Sequence, residues 1–530
     1  MTLRDLLSQP SSFSSHSNPS PQSISDSISI IQSAISHWDP HTSPISSSFL
    51  HASNHLHSHL LRLSTSSSAT AASINHADQL RNIHTLLQSA MECLGESLRY
   101  YLFSISAIDL CSDKIATARS ISQTMLSAGY GNECVSAYQS IRQSRITSQM
   151  VQLGFDQSAN QPKAIRKLKW EILDRQIKSW TGIAPVVVQS LCSDEKQLCD
   201  EIFAMSPESV QNSIFSSIAC DMALRFLSFP ETVAVHLEHS PEKLFRLLDM
   251  YAVLSNLLPD IELIFGFKPD SSVRSQATLS LAKLSEAIRV VISNFELAIQ
   301  KDPIKSSGVP GSAIHPLTRY VMNYLVYLSD FDLYLHEILV KLPPNCSSSF
   351  FEISDKLKNN GSVVSVTIAW MLFILLCKID SKAETYSDAA LSYLFLANNL
   401  RYILRKVQNC HLKEILSDDW MNEHGTKARQ FMEGHVRSGW AHMAAMLRTK
   451  NETAEVVERL REFEMAFEKA MEERKNWAIA DVAMRDEVRL MVEAMLVPEY
   501  CRWYQTHKDF GTVRFSPEDV KTSIMRFYAE

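Results

Sequence analysis

The chain has 530 residues, of which 45% are hydrophobic and 21% charged, and its formal net charge is −7. Such a balance supplies a large apolar core but no global positive field, which argues against a protein that binds nucleic acid. Glycine is scarce, with 13 residues where average usage would give about 37, so phosphate-cradling loops and β-hairpins are not expected.

Residues 1–76 are predicted to form a serine-rich, partly disordered head. About one third of these residues are serine, a composition typical of a chain without a packed core. Two apolar stripes at helical spacing nevertheless predict a marginal pair of amphipathic helices, which would need a partner or the rest of the chain for stability. An organelle transit peptide is the alternative interpretation, although Arg4 and Arg62 are the only arginines of the head. The stripes are Ile24, Ile28, Ile31, Ile35 and Trp38, followed by Phe49, Leu56, Leu60 and Leu63.

Residues 77–530 form the predicted all-α body, because helical periodicity continues from Gln79 onward and sustained β alternation is hard to find. Several helix starts are recognisable as a serine, a proline and a glutamate in succession, which supply an N-cap, a first helical residue and an acid facing the positive helix end. These segments are Ser206–Glu208, Ser240–Glu242 and Ser516–Glu518. Asp519 lies three residues after the last serine, which predicts a capping box.

Two apolar stretches of the body allow a specific structural prediction each. The apolar helical face that follows Ser240 continues to Leu258, where Pro259-Asp260 is expected to interrupt the pattern. The longest apolar run, Val363–Cys377, has 15 residues, fewer than the ~18 to 20 that cross a bilayer. This run is therefore predicted to be a core helix rather than a membrane span.

Motifs for catalysis, cofactors and metals are not recognisable. Four histidines at or near helical spacing lack cysteine or acidic ligands nearby, so a solvated polar face is favoured over a metal site; they are His51, His55, His57 and His59. Gly129-Tyr-Gly131 is a fragment of a nucleotide-binding loop without the third glycine or a preceding strand. The ten cysteines form no C-x-x-C pair and no secretory signal peptide is recognisable, which predicts a reducing, cytosolic setting. The sequence predicts a non-enzymatic protein without a cofactor; an α-helical enzyme without known motifs is the alternative.

Basic residues gather near the C-terminal end, within a stretch of 25 residues. A few of them could attract an anionic membrane, at about 1 kcal/mol each, if they shared one face. Because nearby acids oppose them, an ordinary solvated helix end is the alternative. The basic residues are Arg502, Lys508, Arg514, Lys521 and Arg526, and the acids are Asp509, Glu518, Asp519 and Glu530.

The segment Ile314–Leu328 combines a helix start with an unusual residue order. Pro316 suits the first helical position, where its missing N–H costs nothing. An apolar face follows, formed by Leu317, Val321, Tyr324, Leu325 and Leu328. Its first twelve residues, Ile-His-Pro-Leu-Thr-Arg-Tyr-Val-Met-Asn-Tyr-Leu, are similar to a hallmark of the seventy-kilodalton subunit of the exocyst, the complex that tethers secretory vesicles to the plasma membrane.

Further segments between residues 77 and 530 resemble the plant-type version of that subunit. They are Ala128–Tyr138, Lys169–Leu173, Glu195–Cys199, Ser240–Tyr251, Leu391–Asn399, Asp418–Trp420 and Arg514–Asp519. The resemblance implies an elongated rod of stacked helical bundles. It also implies a non-enzymatic subunit in exocytosis, cytoplasmic and peripheral at the plasma membrane, with other exocyst subunits, Rho-type small GTPases and phosphoinositides as partners. The membrane-facing end would span about residues 495–530, with Arg514, Lys508, Lys521 and Arg502 as the lipid-binding residues.

The chain departs from the family pattern at both ends. The family usually begins with a longer coiled-coil region, whereas this sequence has the serine-rich head. Near the C-terminus the family commonly has two lysines in a Lys-Tyr-Ile-Lys-Tyr-like segment, whereas Gly511–Phe515 keeps only Arg514. The loss of one charge would weaken attraction to a membrane by about 1 kcal/mol. A diverged helical adaptor that acts outside the complex, in signalling or defence, is therefore the alternative function.

Overall fold

The structure is a computed structural model that describes residues 21–39, 45–65, 74–105, 112–155, 165–237, 240–266, 271–304, 313–340, 362–448, 453–507 and 513–528. Within these ranges every regular element is a helix, which confirms the all-α prediction. The residues form two compact units. The division into a head and a body at residue 76 stays a prediction.

The first unit comprises the described residues of 1–238 and 249–287. Its helices are α1 (Pro21–Ser36), α2 (Ser47–Thr65), α3 (Ile74–Ser104), α4 (Ser112–Ser127), α5 (Gly131–Gln152), α6 (Trp170–Pro185), a π-helix (Val186–Cys192), α7 (Ser193–Ile202), α8 (Glu208–Leu227) and α9 (Phe229–His236). The unit also includes residues 249 onward of α10 (Leu244–Phe265) and residues up to 287 of α11 (Ser272–Lys301).

The second unit comprises the described residues of 239–248 and 288–530. It contains a short 3₁₀ helix (Pro241–Lys243) and the remaining parts of α10 and α11. The helices that follow are α12 (Pro316–Ser329), α13 (Asp332–Leu339), α14 (Val363–Ala383), α15 (Ala389–Gln408), α16 (Leu412–Ile415), α17 (Asp418–Arg448), α18 (Thr453–Arg474), α19 (Val482–His507) and α20 (Pro517–Met525).

The apolar stripes of the head lie on helices, α1 and α2, as the spacing predicts, except for Trp38, which follows the end of α1 at Ser36. These helices pack against each other, and both also pack against α3. Ile31, Phe49 and Leu56 are buried. The hydroxyl of Ser127 on α4 donates to Asn54 Oδ1 on α2 at 2.8 Å. The partner that stabilises the two marginal helices is therefore the rest of the chain.

The four histidines of the head lie on α2. His55 Nδ1 is 3.1 Å from the hydroxyl of Ser27, and burial lowers the pKa of His57. The described ranges contain no group of three His, Cys, Asp or Glu side chains that could hold a metal ion. In the nucleotide-loop fragment, Gly129 has φ of +84° and lies in the turn between α4 and α5, a conformation that favours glycine.

The predicted helix starts differ in how the serine is used. Ser516 forms the predicted capping box with Asp519. Ser240 has the extended backbone of an N-cap, but its hydroxyl makes no capping hydrogen bond. The prediction for Ser206 is wrong: α8 begins at Glu208, and Pro207, with ψ of 146°, is the N-cap. The side chain of Gln211 instead fixes this corner, because its Nε2 donates to the carbonyls of Phe203 and Ser206.

The predicted interruption at Pro259 is also wrong, because α10 continues through it to Phe265. Pro259 is exposed, while Ile261 and Ile264 beyond it are buried. The carbonyl that loses its helical hydrogen bond to this proline therefore lies on the solvent side, where water can replace the partner. Burial of the residues beyond the proline favours continuation of the helix.

Helix α14 contains the longest apolar run and is 21 residues long. Among the described helices it alone is long and apolar enough to cross a membrane. More than half of its most apolar stretch is buried within the structure. Near its end, the ammonium of Lys382 pairs with Asp302 at 2.7 Å. Burial therefore supports a core helix, whereas helix length does not exclude a membrane span.

A buried ion pair lies in the core of the first unit. Arg142 on α5 donates to Glu195 on α7 through Nη2 at 2.6 Å and through Nε at 2.9 Å. The Tyr138 hydroxyl donates to the same carboxylate at 3.0 Å. Arg142 Nη1 also reaches the carbonyls of Leu102 and Ile105 at the end of α3, each at 3.4 Å. One guanidinium thus links three segments, α3, α5 and α7.

Candidate functional site

The predicted lipid-binding residues belong to the last helices of the second unit, which share one apolar core. Trp440 on α17, Phe463 on α18, Val492 on α19 and Ile524 on α20 are fully buried members of this core. The Tyr500 hydroxyl donates to the carbonyl of Phe515 at 2.7 Å and so holds the segment before α20. The core fixes the backbone that carries the basic side chains.

His435 on α17 is a buried polar member of this region. Its Nδ1 lies 2.8 Å from the carbonyl of Ala390, so Nδ1 carries the proton, and Nε2 accepts from the hydroxyl of Tyr528 at 2.7 Å. Burial lowers the pKa of His435 to about 4 and raises the pKa of Tyr528 to about 12. The imidazole is therefore neutral at physiological pH, and it connects the end of the chain to α15.

Arg514 lies in the segment between α19 and α20, and α18 holds it in two ways. Its backbone N–H donates to Glu464 Oε1 at 2.8 Å, and Glu464 is buried. Its guanidinium, 66% exposed, pairs with Glu468 at 3.3 Å. The backbone is thus anchored in the interior, while the charged end of the side chain lies in solvent.

The other described members of the predicted set also pair with carboxylates. Lys521 on α20 is 3.0 Å from Glu493 on α19, and its hydrogen bond to this carboxylate, together with the carboxylate's charge, raises the pKa of Lys521. Arg502 is 2.5 Å from Glu499, which also accepts from Arg448 at 2.9 Å. Lys508 lies outside the described residues.

Each of the three described basic side chains therefore has a different acid as its ion-pair partner: Glu468, Glu493 or Glu499. Helical spacing in the sequence indicates the pair of Arg502 with Glu499, three residues earlier on α19. It gives no signal for Arg514, whose partner Glu468 precedes it by 46 positions, or for Lys521, whose partner Glu493 lies on another helix. Exposed ion pairs contribute little to stability and exchange readily. The pair of Arg514 with Glu468 is of this kind, because both side chains are exposed, and a phosphate group could replace that carboxylate with little structural cost. Glu493 and Glu499 are mostly buried, so only the basic members of their pairs lie open to solvent.

The helix with the unusual residue order, α12, begins as predicted. Pro316 is its first residue, and the N-cap is His315, whose Nδ1 accepts the N–H of Leu317 at 3.1 Å. Burial lowers the pKa of His315, so the imidazole remains a neutral acceptor. The whole predicted apolar face is buried, namely Leu317, Val321, Tyr324, Leu325 and Leu328.

A single amide joins this helix start to another of the recognised segments, Leu391–Asn399. The side-chain oxygen of Asn399 on α15 accepts from the backbone N–H of His315 at 2.9 Å and from the hydroxyl of Thr318 at 2.8 Å. Its nitrogen donates to the carbonyl of Phe395 at 2.8 Å. The sequence feature that could have identified Asn399 is the Asn-Asn pair within an otherwise apolar helical pattern, because buried amides require hydrogen-bond partners.

The family relationship rests on the sequence of this helical region. The family model for the C-terminal region of the Exo70 subunit of the exocyst complex matches residues 178–526. The chain belongs to the Exo70 family. This confirms the resemblance that the segment order implies.

Relatives in the Exo70 family include two plant proteins of Arabidopsis thaliana. The chain is 28% identical to the exocyst complex component EXO70B1, over 79% of this chain and 68% of that protein. It is also 28% identical to the exocyst complex component EXO70A1, over 72% of this chain and 60% of that protein. Both relatives are named as components of the exocyst.

Solved structures of the Exo70 protein from Saccharomyces cerevisiae have the same fold. One of them has a TM-score of 0.61 at 14% identity and covers 96% of this chain and 98% of its own. A second has a TM-score of 0.59 over 95% of this chain. At this identity the similarity establishes the helical fold of the Exo70 family and carries no conclusion about partners.

Proposed function

We propose that this protein is a non-enzymatic subunit of the exocyst and helps secretory vesicles dock at the plasma membrane. The observation that carries the proposal is the match of the Exo70 C-terminal model over residues 178–526. The naming of the plant relatives as exocyst components supports it. The protein would then act in the cytoplasm, peripherally at the plasma membrane, with sister subunits and Rho-type GTPases as partners.

Co-purification from the cells that make the protein tests this proposal. The full-length chain, tagged and isolated after brief cross-linking, should recover the sister exocyst subunits in amounts comparable to its own. Recovery of a reproducible set of other proteins without sister subunits would support the alternative, a diverged adaptor in signalling or defence. Adding GTP-loaded or GDP-loaded Rho-type GTPase to the purified protein would test the GTPase contact, which should depend on GTP.

A test of the proposed head needs a smaller change than deletion of residues 1–76, because α1 and α2 pack on α3 and their removal would expose that helix. Ile30 and Leu61 are exposed apolar residues of these helices. If residues 1–76 contribute to assembly, replacing both residues with serine should lower the recovery of sister subunits without lowering the melting temperature. Unchanged recovery would show that this surface of the head is not needed.

We also propose that Arg514, Lys521 and Arg502, together with Lys508, contact phosphoinositide head groups at the C-terminal end, about residues 495–530. The proposal is supported by the solvent exposure of the three described basic side chains and by the weak, exchangeable ion pair of Arg514 with Glu468. A head group with several phosphates carries more charge than one carboxylate and would therefore compete for the same donors.

Vesicle binding at two salt concentrations tests this contact. Wild type and Arg514→Gln would be compared on phosphatidylcholine vesicles with and without phosphatidylinositol bisphosphate. Loss of one charge should weaken binding about fivefold, since each basic residue contributes about 1 kcal/mol near an anionic surface. Arg461→Gln is the matched control, because Arg461 is equally exposed and pairs with Glu458 on α18. No binding by the wild type at low salt would end the proposal.

A further inference from the structure

Five aromatic rings meet in the second unit where α11 and α12 pack beside the start of α10. Tyr324 lies against Phe295 with ring centroids 3.7 Å apart and nearly parallel planes. Phe245 is 5.2 Å from Tyr324 and 5.7 Å from Tyr327. Tyr320 is 5.8 Å from Phe295. The rings form one continuous cluster whose interior member is Tyr324.

The outer part of this cluster lies in solvent. Tyr327 is 61% exposed, Tyr320 is 40% exposed and Phe245 is half-buried. Helix packing buries the apolar face of α12, but it leaves the outer parts of these three rings uncovered. Exposed aromatic groups held on a rigid helix are typical anchors of contact surfaces, because they offer large area at low entropic cost.

A carboxylate lies at the edge of the same cluster. Glu242, in the short 3₁₀ helix before α10, accepts the hydroxyl of Tyr320 at 3.1 Å and is itself exposed. Burial and the charge of Glu242 raise the pKa of Tyr320 to about 12, and burial, with smaller contributions from Tyr320 and Glu242, raises the pKa of Tyr324. One exposed carboxylate thus lies at the edge of the exposed rings.

The hydroxyl of Tyr324 adds an independent observation. Tyr324 is 5% exposed, and its hydroxyl oxygen has no hydrogen-bond partner among the described residues. A buried hydroxyl without a partner is unfavourable, so such groups in native proteins usually require an explanation. A donor bound at the outer rings could supply the missing hydrogen bond after a small movement of Tyr320.

We propose that Phe245, Tyr320, Tyr327 and Glu242 form a docking site for an arginine side chain of a partner protein. The guanidinium is planar, stacks on aromatic faces and donates two parallel hydrogen bonds to a carboxylate, so one side chain satisfies both parts of the site. A purely apolar occupant would bury the Glu242 charge without a counter-ion, and an anionic one would be repelled. The site goes beyond the proposed exocyst role and does not depend on it.

The test uses the full-length protein and a defined probe. The probe is a short glycine-rich peptide with two arginines and a photoreactive benzoylphenylalanine, and its control carries citrulline at both arginine positions. Citrulline keeps the shape of arginine but has no charge. Affinity would be measured by fluorescence anisotropy, and cross-linked residues would be located by mass spectrometry. The proposal expects cross-links of the arginine peptide within residues 240–248 and 316–329, and much weaker binding of the citrulline peptide.

Two substitutions and two matched controls complete the test. Glu242→Gln and Tyr327→Leu should each weaken the arginine peptide about two- to fivefold. Glu433→Gln and Tyr393→Leu alter an exposed acid and a partly exposed tyrosine elsewhere in the same unit, and should leave the affinity unchanged. Equal binding of both peptides, cross-links confined to other helices, or unchanged affinity of Glu242→Gln at an unaltered melting temperature would each overturn the proposal. Equal loss in the control variants would overturn it as well, because attraction would then be non-specific.

Discussion

Replacing Arg142 with methionine measures how far the first unit depends on one buried ion pair. The side chains of Arg142 and Glu195 are 6% and 1% exposed, so water screens their interaction poorly. Methionine fills much of the space of arginine but leaves the Glu195 carboxylate with the Tyr138 hydroxyl as its remaining donor. Removing one partner of a buried pair costs about 3–5 kcal/mol, chiefly because the other charge stays buried and unpaired.

The expected loss is large enough for ordinary unfolding assays. At about 2 °C per kcal/mol for a unit of this size, the melting temperature of the first unit should fall by about 6–10 °C. Urea unfolding followed by circular dichroism would give the free energy directly. Arg225→Met is the control, since Arg225 forms an exposed pair with Asp221 at 3.1 Å, for which a loss within about 1 kcal/mol is expected.

A double variant separates the cost of leaving the Glu195 charge unpaired from the cost of lost packing. In Arg142→Met combined with Glu195→Leu, no carboxylate remains in the core, so at least half of the lost stability should return. A loss below about 1 kcal/mol in the single variant would refute the reasoning, because it would mean that water reaches the carboxylate. Failure of the double variant to recover would assign the loss to packing instead.

Three further predictions concern the second unit. Asn399→Ala should cost about 2–3 kcal/mol in urea unfolding, because two buried donors lose their acceptor, whereas Asn422→Ala on the exposed side of α17 should change little. Ser516→Ala should cost about 1 kcal/mol by the same assay, and Ser240→Ala, whose hydroxyl caps nothing, less than about 0.5. The pKa of His435 is about 6.5 in the unfolded chain and about 4 in the folded chain, so between these pH values the unfolded chain binds a proton that the folded chain does not. The free energy of unfolding should therefore fall by up to about 3 kcal/mol as the pH falls through this range. His435→Gln should lack this share of the pH slope.

Each of these predictions has a contradicting result. Equal losses for both asparagine variants would mean that the Asn399 amide is not the critical acceptor. Equal losses for both serine variants would deny the capping contribution of Ser516. A pH slope in His435→Gln that matches the wild type would mean that other groups produce it.

Features that depend on neighbouring residues could be predicted from the sequence. The start of α12 at Pro316 and the capping box of Ser516 with Asp519 arise within a few residues, so local order determines them. The apolar face of α12 was predictable for the same reason, because helical spacing alone places its members together. The all-α fold follows from the repetition of such patterns.

Features that depend on distant residues could not be predicted. Arg142 and Glu195 are 53 positions apart, and nothing in either segment indicates that α5 and α7 bring them together. The outcome at Pro259 depended on burial of Ile261 and Ile264 beyond it, a tertiary effect that outweighs the local preference. The basic C-terminal residues were found by counting charge, but the carboxylate partners of Arg514 and Lys521 belong to other helices.

The amide of Asn399 also limits which substitutions the chain can accept at that position. Asp would keep the acceptor for His315 and Thr318 but remove the donor to Phe395 and add a buried charge. Gln would keep both groups but displace them by one methylene, and Leu would keep only the volume. Natural or engineered variants at position 399 should therefore be unusually rare among functional chains, and a change there is a sensitive indicator that α12 has lost its fixed position on α15.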